Sequence, residues 1–196
     1  MSISNRQREE REIRKERIIS GALEVFKKHG IKNSTMEQIA SESDFGKATL
    51  YYYFQSKEEV FCHILEDGWE NLWASVETVI NSHESPRKTF IETLLVIAKH
   101  IRKKPALYEF LFNAPQKVSF KERPWEKFQK RMYSALQSLL KEGIKKGEFP
   151  AINPGLLFKA MGGLFLGLVL MGDKKESISE AKIEDLINQL IIEPSN

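Results

Sequence analysis

Apolar residues recur at helical spacing along almost the whole of this chain, and the alternation with a period of two that marks strands is missing. No internal repeat of fixed period is present, which excludes a solenoid. At 196 residues the chain is long enough to bury a substantial core. The sequence therefore predicts an all-α fold of about nine helices.

Glycine, proline and capping residues divide this helical pattern into segments. The first predicted helix ends at Gly30, which suits the left-handed residue that follows many helices. The stretch before it, residues 6–17, is nearly all charged. Capping boxes are predicted where Thr35 precedes Gln38 and where Ser56 precedes Glu59. The later helices are predicted at about residues 35–43, 47–54, 56–80, 86–104, 105–113, 124–146, 154–172 and 179–192.

Composition excludes several classes of protein. A hydrophobic fraction of 41% with 29% charged residues is ordinary for a globular chain. The longest apolar stretch, residues 160–172, is shorter than the roughly 20 residues that span a bilayer. Cys62 is the only cysteine, so no internal disulfide forms, and no signal-peptide pattern opens the sequence. We therefore expect a cytoplasmic protein with no membrane partner.

The positive charge of the chain is unevenly distributed. Residues 1–57 contain 11 Lys and Arg against 8 Asp and Glu, whereas the remainder contains 19 of each kind. The whole net charge of +3 therefore lies in the first third of the sequence. Such an excess suits nucleic-acid binding, but it is also common on a solvated basic face, so motifs must decide.

The third predicted helix contains three consecutive tyrosines. Leu50 and Phe54 share one face at a spacing of four residues and are expected to be buried. Tyr52 points nearly opposite, with Tyr51 and Tyr53 on the flanks. Exposed tyrosines either contact DNA phosphates and thymine methyl groups or pack against a neighbouring domain, and spacing alone does not decide between the two.

Two short helices joined by a tight turn, with a supporting helix before them, are the parts of a helix-turn-helix. The second helix of this motif enters the major groove of DNA. Lys47 and Thr49 lie at its N-terminus, where base edges are usually met, and Lys57 follows it at a place that suits a backbone phosphate.

These residues closely resemble the DNA-binding signature of the TetR family of bacterial regulators. The resemblance is carried by residues 35–40 and by the run Lys47-Ala48-Thr49-Leu50-Tyr51-Tyr52-Tyr53-Phe54-Gln55-Ser56-Lys57-Glu58. It covers about the first third of the chain, and the rest resembles the family only in length and helix layout. The resemblance implies a helix-turn-helix DNA-binding domain over residues 1–57 and a helical effector-binding and dimerisation domain over residues 58–196.

The resemblance also implies a function. We expect a homodimeric, sequence-specific repressor that is released from a palindromic double-stranded DNA operator by a small effector, apolar or aromatic. It implies no enzymatic activity, no cofactor and no metal. By matching position it implies DNA contacts by Thr49, Tyr51, Tyr52, Tyr53 and Lys57, with Lys47 and Ala48 near base edges and Thr35 near the backbone. Among these, Tyr52 is expected to read the base sequence of the operator. The charged residues 6–17 either reach an adjacent minor groove or extend the first helix as a solvated face.

The turn departs from the common family pattern. Residues 43–46 replace the frequent Ala-Gly-Val-Ser. Asp44 tolerates left-handed backbone better than most residues, so the turn is expected to form. Gly46 removes one side-chain donor for a phosphate.

In the second predicted domain, aromatic and Met side chains at helical spacing are core residues by default, and some of them are candidates for lining an effector pocket between helices. The candidates are Trp73, Phe90, Leu94, Tyr108, Phe112 and Met132. A second set lies on the two last helices, which are expected to form a four-helix dimer contact rather than an internal core. These dimer candidates are Ala160, Gly163, Gly167, Ile183, Leu186, Ile187 and Leu190.

Two other classes of function compete with DNA binding. Glu59, His63, Glu66 and Glu70 lie near one face of the fourth helix, as in a di-metal enzyme, but no matching helix is present, so a solvated face is favoured. A helical protein-interaction module without specific DNA binding would also explain the apolar helices. It leaves the clustered basic excess and the exposed tyrosines unexplained.

Overall fold

The computed structural model of this chain describes residues 5–82, 84–114, 123–170 and 180–190. Those ranges contain nine α-helices and no strand, which confirms the all-α prediction. The helices are α1 (Asn5–Asn33), α2 (Met36–Glu42), α3 (Lys47–Tyr53), α4 (Lys57–Ile80), α5 (Pro86–Ile101), α6 (Pro105–Asn113), α7 (Glu126–Lys145), α8 (Pro154–Leu170) and α9 (Glu180–Leu190).

The helix ends agree with the sequence to within a few residues. α1 continues to Asn33, but Gly30 has φ of 70°, so the regular helix is interrupted where the sequence predicts its end. The charged residues 6–17 belong to α1, which agrees with the alternative that they extend this helix. α5 ends at Ile101, three residues early, and α7 begins at Glu126, two residues late. The predicted positions 171, 172, 179, 191 and 192 lie outside the described residues.

The chain forms two compact units. The first unit comprises residues 1–68 and 110–125, and the second comprises residues 69–109 and 126–196. The division between them falls within α4 and again within α6. The functional boundary predicted after residue 57 stays a prediction.

Aromatic rings form the core of the first unit. Phe61 on α4 lies edge-on to Phe26 of α1 at 5.9 Å and to Phe110 of α6 at 5.5 Å between ring centroids. Trp125 is a third edge-on neighbour at 6.2 Å. Ile18 and Ala22 of α1 are also fully buried. The aromatic rings therefore join α1 to α4 and α6.

Gly21 allows α1 to approach the turn between α2 and α3. A Cβ atom on Gly21 would lie 2.8 Å from the backbone nitrogen of Ser43 and 3.0 Å from its Cα. Backbone cannot move aside as the end of a flexible side chain can. The absence of a side chain at this position therefore fixes how closely α1 supports the turn.

In the second unit, α5 packs against α7, α8 and α9, and α7 packs against α8. α5, α7 and α8 contribute buried apolar side chains to this unit, as the helical spacing predicts. The buried residues on α5, α7 and α8 include Phe90, Leu94, Ile97, Met132, Leu136, Leu140, Leu157, Met161 and Phe165. Across the described helices, including the apolar α8, none has the length and hydropathy that crossing a membrane requires.

Candidate nucleic-acid interface

α2 begins with the predicted capping box. The Thr35 hydroxyl accepts a hydrogen bond from the backbone N–H of Gln38 at 3.2 Å. The Gln38 side-chain oxygen accepts one from the backbone N–H of Thr35 at 2.9 Å. Two otherwise unpaired helix-terminal donors are thereby satisfied. Thr35 is exposed, so its position near the DNA backbone stays a prediction.

The turn between α2 and α3 takes the backbone conformation expected of it. Asp44 has φ of 58°, and it is the only residue other than glycine with positive φ in the described part of the chain. Short polar side chains tolerate this conformation better than others. Before it, the Ser43 hydroxyl donates to the backbone carbonyl of Ile39. Asp44 therefore replaces glycine without preventing the turn.

Arg17 on α1 contacts two residues of this turn, Asp44 and Phe45. Its guanidinium pairs with the Asp44 carboxylate at 3.3 Å. Its Cζ also lies 5.0 Å from the centroid of the Phe45 ring. Sequence reasoning missed this contact because 27 residues separate Arg17 from Asp44. The only available signal was that Asp44 and Phe45 both lie in the segment that departs from the family pattern.

α3 exposes its tyrosines as the helical spacing predicts. Leu50 and Phe54 are buried, with 0% and 3% of their surface exposed. Tyr52 is 69% exposed and Tyr51 is 41% exposed. Tyr53 is half-buried. We call these three side chains the tyrosine surface, and a single copy of the chain leaves its most prominent member, Tyr52, in solvent.

The predicted contact residues at the start of α3 also lie at the surface. Lys47 and Ala48 are exposed, and Thr49 is half-buried. The Lys47 ammonium pairs with the Glu37 carboxylate of α2 at 3.0 Å. The hydrogen bond from Lys47 is the main reason why the pKa of Glu37 is lowered from its ordinary value. This exposed pair joins the two helices of the motif and partly neutralises the lysine that is predicted to lie near base edges.

Lys57, the predicted phosphate contact, has two partners within the chain. Its Nζ donates to the backbone carbonyl of Lys32 at 2.9 Å and to that of Ser34 at 2.7 Å. These carbonyls follow the interruption of α1 at Gly30, so the ammonium serves them as a C-terminal cap. Lys57 is the first residue of α4. It therefore ties the start of α4 to the segment that enters the helix-turn-helix.

Five of the six predicted effector-contacting residues are core residues in this structure. Those in the second unit are all at least nine-tenths buried, namely Trp73, Phe90, Leu94, Tyr108 and Met132. Phe112 is half-buried and belongs to the first unit. None of the six lines either of the two cavities described, both of which lie in the first unit. Their role in effector binding stays a prediction.

Trp73 differs from the other core residues because it contains an unsatisfied polar atom. It is 6% exposed, and its indole Nε1–H has no hydrogen-bond partner in the described part of the chain. Arg131 covers the ring, with its Cζ 4.4 Å from the centroid. The same guanidinium pairs with the Glu77 carboxylate at 2.8 Å. A buried donor without a partner is uncommon and is a favourable position for a ligand acceptor.

α8 has one packed face and one open face. Leu157, Met161 and Phe165 are buried on the packed face. On the other face, Ala160 and Gly163 are exposed and Gly167 is half-buried. A Cβ atom built on Gly163 or Gly167 would meet nothing within 4 Å. We call Ala160, Gly163 and Gly167 the small-residue face.

The predicted dimer residues of α9 are described only in part. Leu186 is half-buried. The side chains of Ile183, Ile187 and Leu190 lie outside the described residues.

Comparison with known proteins points to transcriptional regulators rather than enzymes. The pattern of bacterial regulatory proteins of the tetR family matches residues 18–64. The HTH-type transcriptional repressor SCO4008 of Streptomyces coelicolor is 30% identical over 152 residues, which cover 75% of this chain and 74% of that protein. The HTH-type transcriptional regulator QacR of Staphylococcus aureus is 23% identical over 181 residues, which cover 91% of this chain and 96% of that protein.

Solved structures show the same fold. The ketosteroid transcriptional regulator KstR2 of Mycobacterium tuberculosis superposes with a TM-score of 0.76 at 18% identity, covering 91% of this chain and 92% of that one. The transcriptional regulator FadR of Bacillus subtilis, in complex with stearoyl-CoA, gives a TM-score of 0.68 at 19% identity, covering 91% and 98%. The residues 18–64 that match the family contain α2, α3 and the start of α4, and so they include the tyrosine surface of α3.

Proposed function

This chain belongs to the TetR family of bacterial regulatory proteins, and from that premise we propose that it is a homodimeric repressor released from a palindromic operator by a small apolar or aromatic effector. DNA-binding regulation follows from family membership. The dimer, the operator and the effector are the parts that we add. The observation that carries the proposal is the exposure of Tyr52 opposite the buried Leu50 and Phe54 on α3.

The tyrosine surface supports sequence reading. A tyrosine ring makes apolar contact with a thymine methyl group or a sugar, and its hydroxyl donates to a phosphate or a base edge. Lys47 and Ala48 at the start of α3 are exposed on the same short helix. This arrangement suits entry of α3 into the major groove.

The small-residue face of α8 supports a dimer. An open, apolar helix face favours contact with another protein surface. Because Gly163 and Gly167 have no neighbour within 4 Å of a built Cβ, a second backbone can approach them closely. A second copy of this chain would place two α3 helices at successive major grooves, as a palindromic site requires.

The buried residues of the second unit support an apolar effector with a hydrogen-bond acceptor. Trp73 has the unsatisfied N–H described above, and Phe90, Leu94 and Met132 supply apolar core in the same unit. FadR of Bacillus subtilis, which shares the fold, is solved with stearoyl-CoA, so this architecture accommodates an acyl ligand. An acyl carbonyl is an acceptor of the kind that the Trp73 indole lacks.

Release follows if the effector binds best to a conformation in which the two copies of α3 are wrongly spaced for the operator. α4 is the element suited to this task. It starts four residues after α3 ends, and Lys57 ties its first turn to the carbonyls that precede α2. A shift of α4 would therefore move the support of the helix-turn-helix.

Selection of bound duplexes from a random DNA pool tests the proposal. The purified protein is expected to select a palindrome at moderate salt, because two copies read two half-sites. Weak, sequence-independent binding that persists after removal of any co-purified ligand would contradict it and favour the interaction-module alternative.

The selected operator then serves the effector test. Acyl-CoA thioesters and flat aromatic compounds are added to a fluorescently labelled operator complex, and release is followed by anisotropy. Trp73→Phe retains the ring but lacks the N–H, and it is expected to require about tenfold more of an acceptor-bearing effector. A purely hydrocarbon effector should not discriminate between the two proteins. Failure of every compound to change operator affinity would contradict the proposed coupling.

A further inference from the structure

The guanidinium of Arg11, on the charged N-terminal part of α1, lies beside the rings of Tyr52 and Tyr53, within 6 Å of both. Its Cζ is 5.8 Å from the centroid of the Tyr52 ring and 5.9 Å from that of Tyr53. The two rings meet edge to face, with centroids 5.3 Å apart and planes at 88°. One cation therefore contacts both rings at almost equal distances.

We infer that Arg11 is a positioning residue that fixes Tyr52 and Tyr53 in the arrangement that reads base pairs. The inference rests on the proposed function, because it requires Tyr52 to read sequence. It goes beyond that function in giving the N-terminal part of α1, which lies outside the matched residues 18–64, a role in specificity.

Exposure explains why Tyr52 needs such support. At 69% exposed, its ring has few packing neighbours to hold one rotamer. A side chain that is ordered only on binding lowers the affinity by the conformational entropy it loses. A cation held over aromatic rings at an exposed site contributes about 0.5–1 kcal/mol, which corresponds to about a 2- to 5-fold change in an equilibrium constant. Arg11 thus orders the rings before DNA arrives.

The helical state of the N-terminal segment keeps Arg11 in place. Residues 5–17 belong to α1, so the position of Arg11 is set by a helix rather than by an unstructured arm. Arg11 also lines a cavity of about 700 Å³ in the first unit, together with Arg8 and Lys15 of α1 and Tyr53 and Phe54. The contact with the tyrosines is therefore part of a surface shared by α1 and the end of α3.

The test uses the full-length protein and the operator that it selects. Binding is measured on the operator and on each single-base variant, over a range of salt concentrations. Arg11→Gln is expected to lower the discrimination at the base pairs that Tyr52→Ala affects, by about 2- to 5-fold per half-site. Arg11→Lys, which retains the charge but not the planar guanidinium, is expected to lower discrimination while leaving the salt dependence unchanged.

Arg14→Gln is the matched control. Arg14 is exposed on the same helix and is not among the residues that line the cavity. It removes the same charge, and discrimination is expected to remain at the wild-type value. All variants are compared at equal helical content and thermal midpoint, so that a folding defect is not mistaken for a loss of specificity.

Three outcomes would overturn the inference. Equal effects of Arg11→Gln and Arg14→Gln would assign Arg11 only a general electrostatic role. A loss of affinity on all sequences, with a salt slope smaller by about one and discrimination intact, would make Arg11 a direct phosphate contact. A further loss of discrimination when Arg11→Gln is added to a protein that already carries both Tyr52→Ala and Tyr53→Ala would show that Arg11 does not act through the tyrosines. A wild-type protein that selects no sequence would instead overturn the proposed function, and this inference with it.

Discussion

Two exposed surfaces of this chain, the tyrosine surface of α3 and the small-residue face of α8, offer a partner opposite kinds of chemistry. Tyr51 and Tyr52 present large rings with hydroxyl groups that hydrogen-bond to water or to DNA. Ala160 and Gly163 present no polar side-chain atom and allow another backbone to approach closely. The first surface is stable in solvent, whereas the second gains most when it is permanently covered.

The difference indicates which contact is reversible. A regulator must leave its DNA, so its reading surface has to tolerate water between binding events. A dimer that spaces two reading helices has to persist throughout, and obligate contacts are more apolar than transient ones. The proposed repressor therefore uses the hydrated tyrosine surface for recognition and the apolar small-residue face for assembly.

The largest expected effect comes from placing a charge on the small-residue face of α8. Gly163→Glu is expected to weaken dimerisation at least about 30-fold, because an unpaired carboxylate in an apolar contact costs roughly 2 kcal/mol or more. Analytical ultracentrifugation over a concentration series measures this shift. Operator affinity should fall with it, because two linked half-sites bind more tightly than one.

Lys141→Gln serves as the control for this substitution. It also lowers the charge by one, but on an exposed position of α7. It is expected to leave the dimer intact. A Gly163→Glu protein that remains dimeric at low micromolar concentration would break the comparison, because the small-residue face would then not be the assembly surface.

The next largest effect is expected at the tyrosine surface of α3. Tyr52→Ala is expected to lower the preference for the selected operator over its single-base variants by about tenfold, within the roughly 1–3 kcal/mol that one base pair contributes. The dimer should be unaffected. Tyr52→Phe separates the two parts of the side chain, since it retains ring contacts and loses only the hydroxyl. An equal loss on every sequence would show that Tyr52 supplies affinity without reading bases.

Local patterns in the sequence predicted which side chains of α3 are exposed better than they predicted contacts between residues far apart in the chain. The exposure of Tyr52 and the burial of Leu50 and Phe54 follow from spacing within a single helix, and the capping box at Thr35 follows from neighbours three residues apart. The contact of Arg17 with Asp44 joins residues 27 positions apart, and no periodicity contains it. The same holds for Arg11 and the tyrosines.

The predicted effector-contacting residues illustrate the limit more strongly. Spacing identified Trp73 and Phe90 as apolar and helical, but a stripe of apolar residues predicts burial without saying whether the core is filled or hollow. The unsatisfied Nε1–H of Trp73 depends on what surrounds it in three dimensions. Helix ends are hard to predict from the sequence for the same reason. Tertiary contacts decide whether the last turn of α5 continues past Ile101.

A smaller effect tests whether the DNA-binding surface extends beyond the tyrosines to Lys57. Lys57→Ala is expected to weaken binding to all sequences alike and to reduce the slope of log affinity against log salt by about one per protomer. It should also lower the free energy of unfolding by about 1 kcal/mol, because the carbonyls of Lys32 and Ser34 lose their donor. Lys57→Arg retains the charge and should preserve the slope. An unchanged slope together with lower stability would restrict Lys57 to its role as a cap.

The smallest expected effect concerns acid, which should act on the support of the tyrosine surface and not on the small-residue face, since the latter has no titratable side chain. The ring of His63 on α4 lies beside that of Phe54, with 5.5 Å between the two ring centroids. Burial, with a further contribution from the Lys15 cation, lowers the pKa of His63 below its ordinary 6.5, although Asp67, Glu66 and Glu12 act in the opposite direction. As the pH falls below 6.5, the unfolded chain takes up a proton that the folded chain refuses, so stability declines until the lower folded pKa is reached. His63→Gln should flatten this decline in the free energy of unfolding, measured by urea titration between about pH 7 and 5.

His100→Gln is the comparison in the second unit, where burial also lowers the histidine pKa. Operator binding at mild acidity should follow His63 alone, and an equal dependence on both histidines would place the acid sensitivity in overall folding instead of beneath α3.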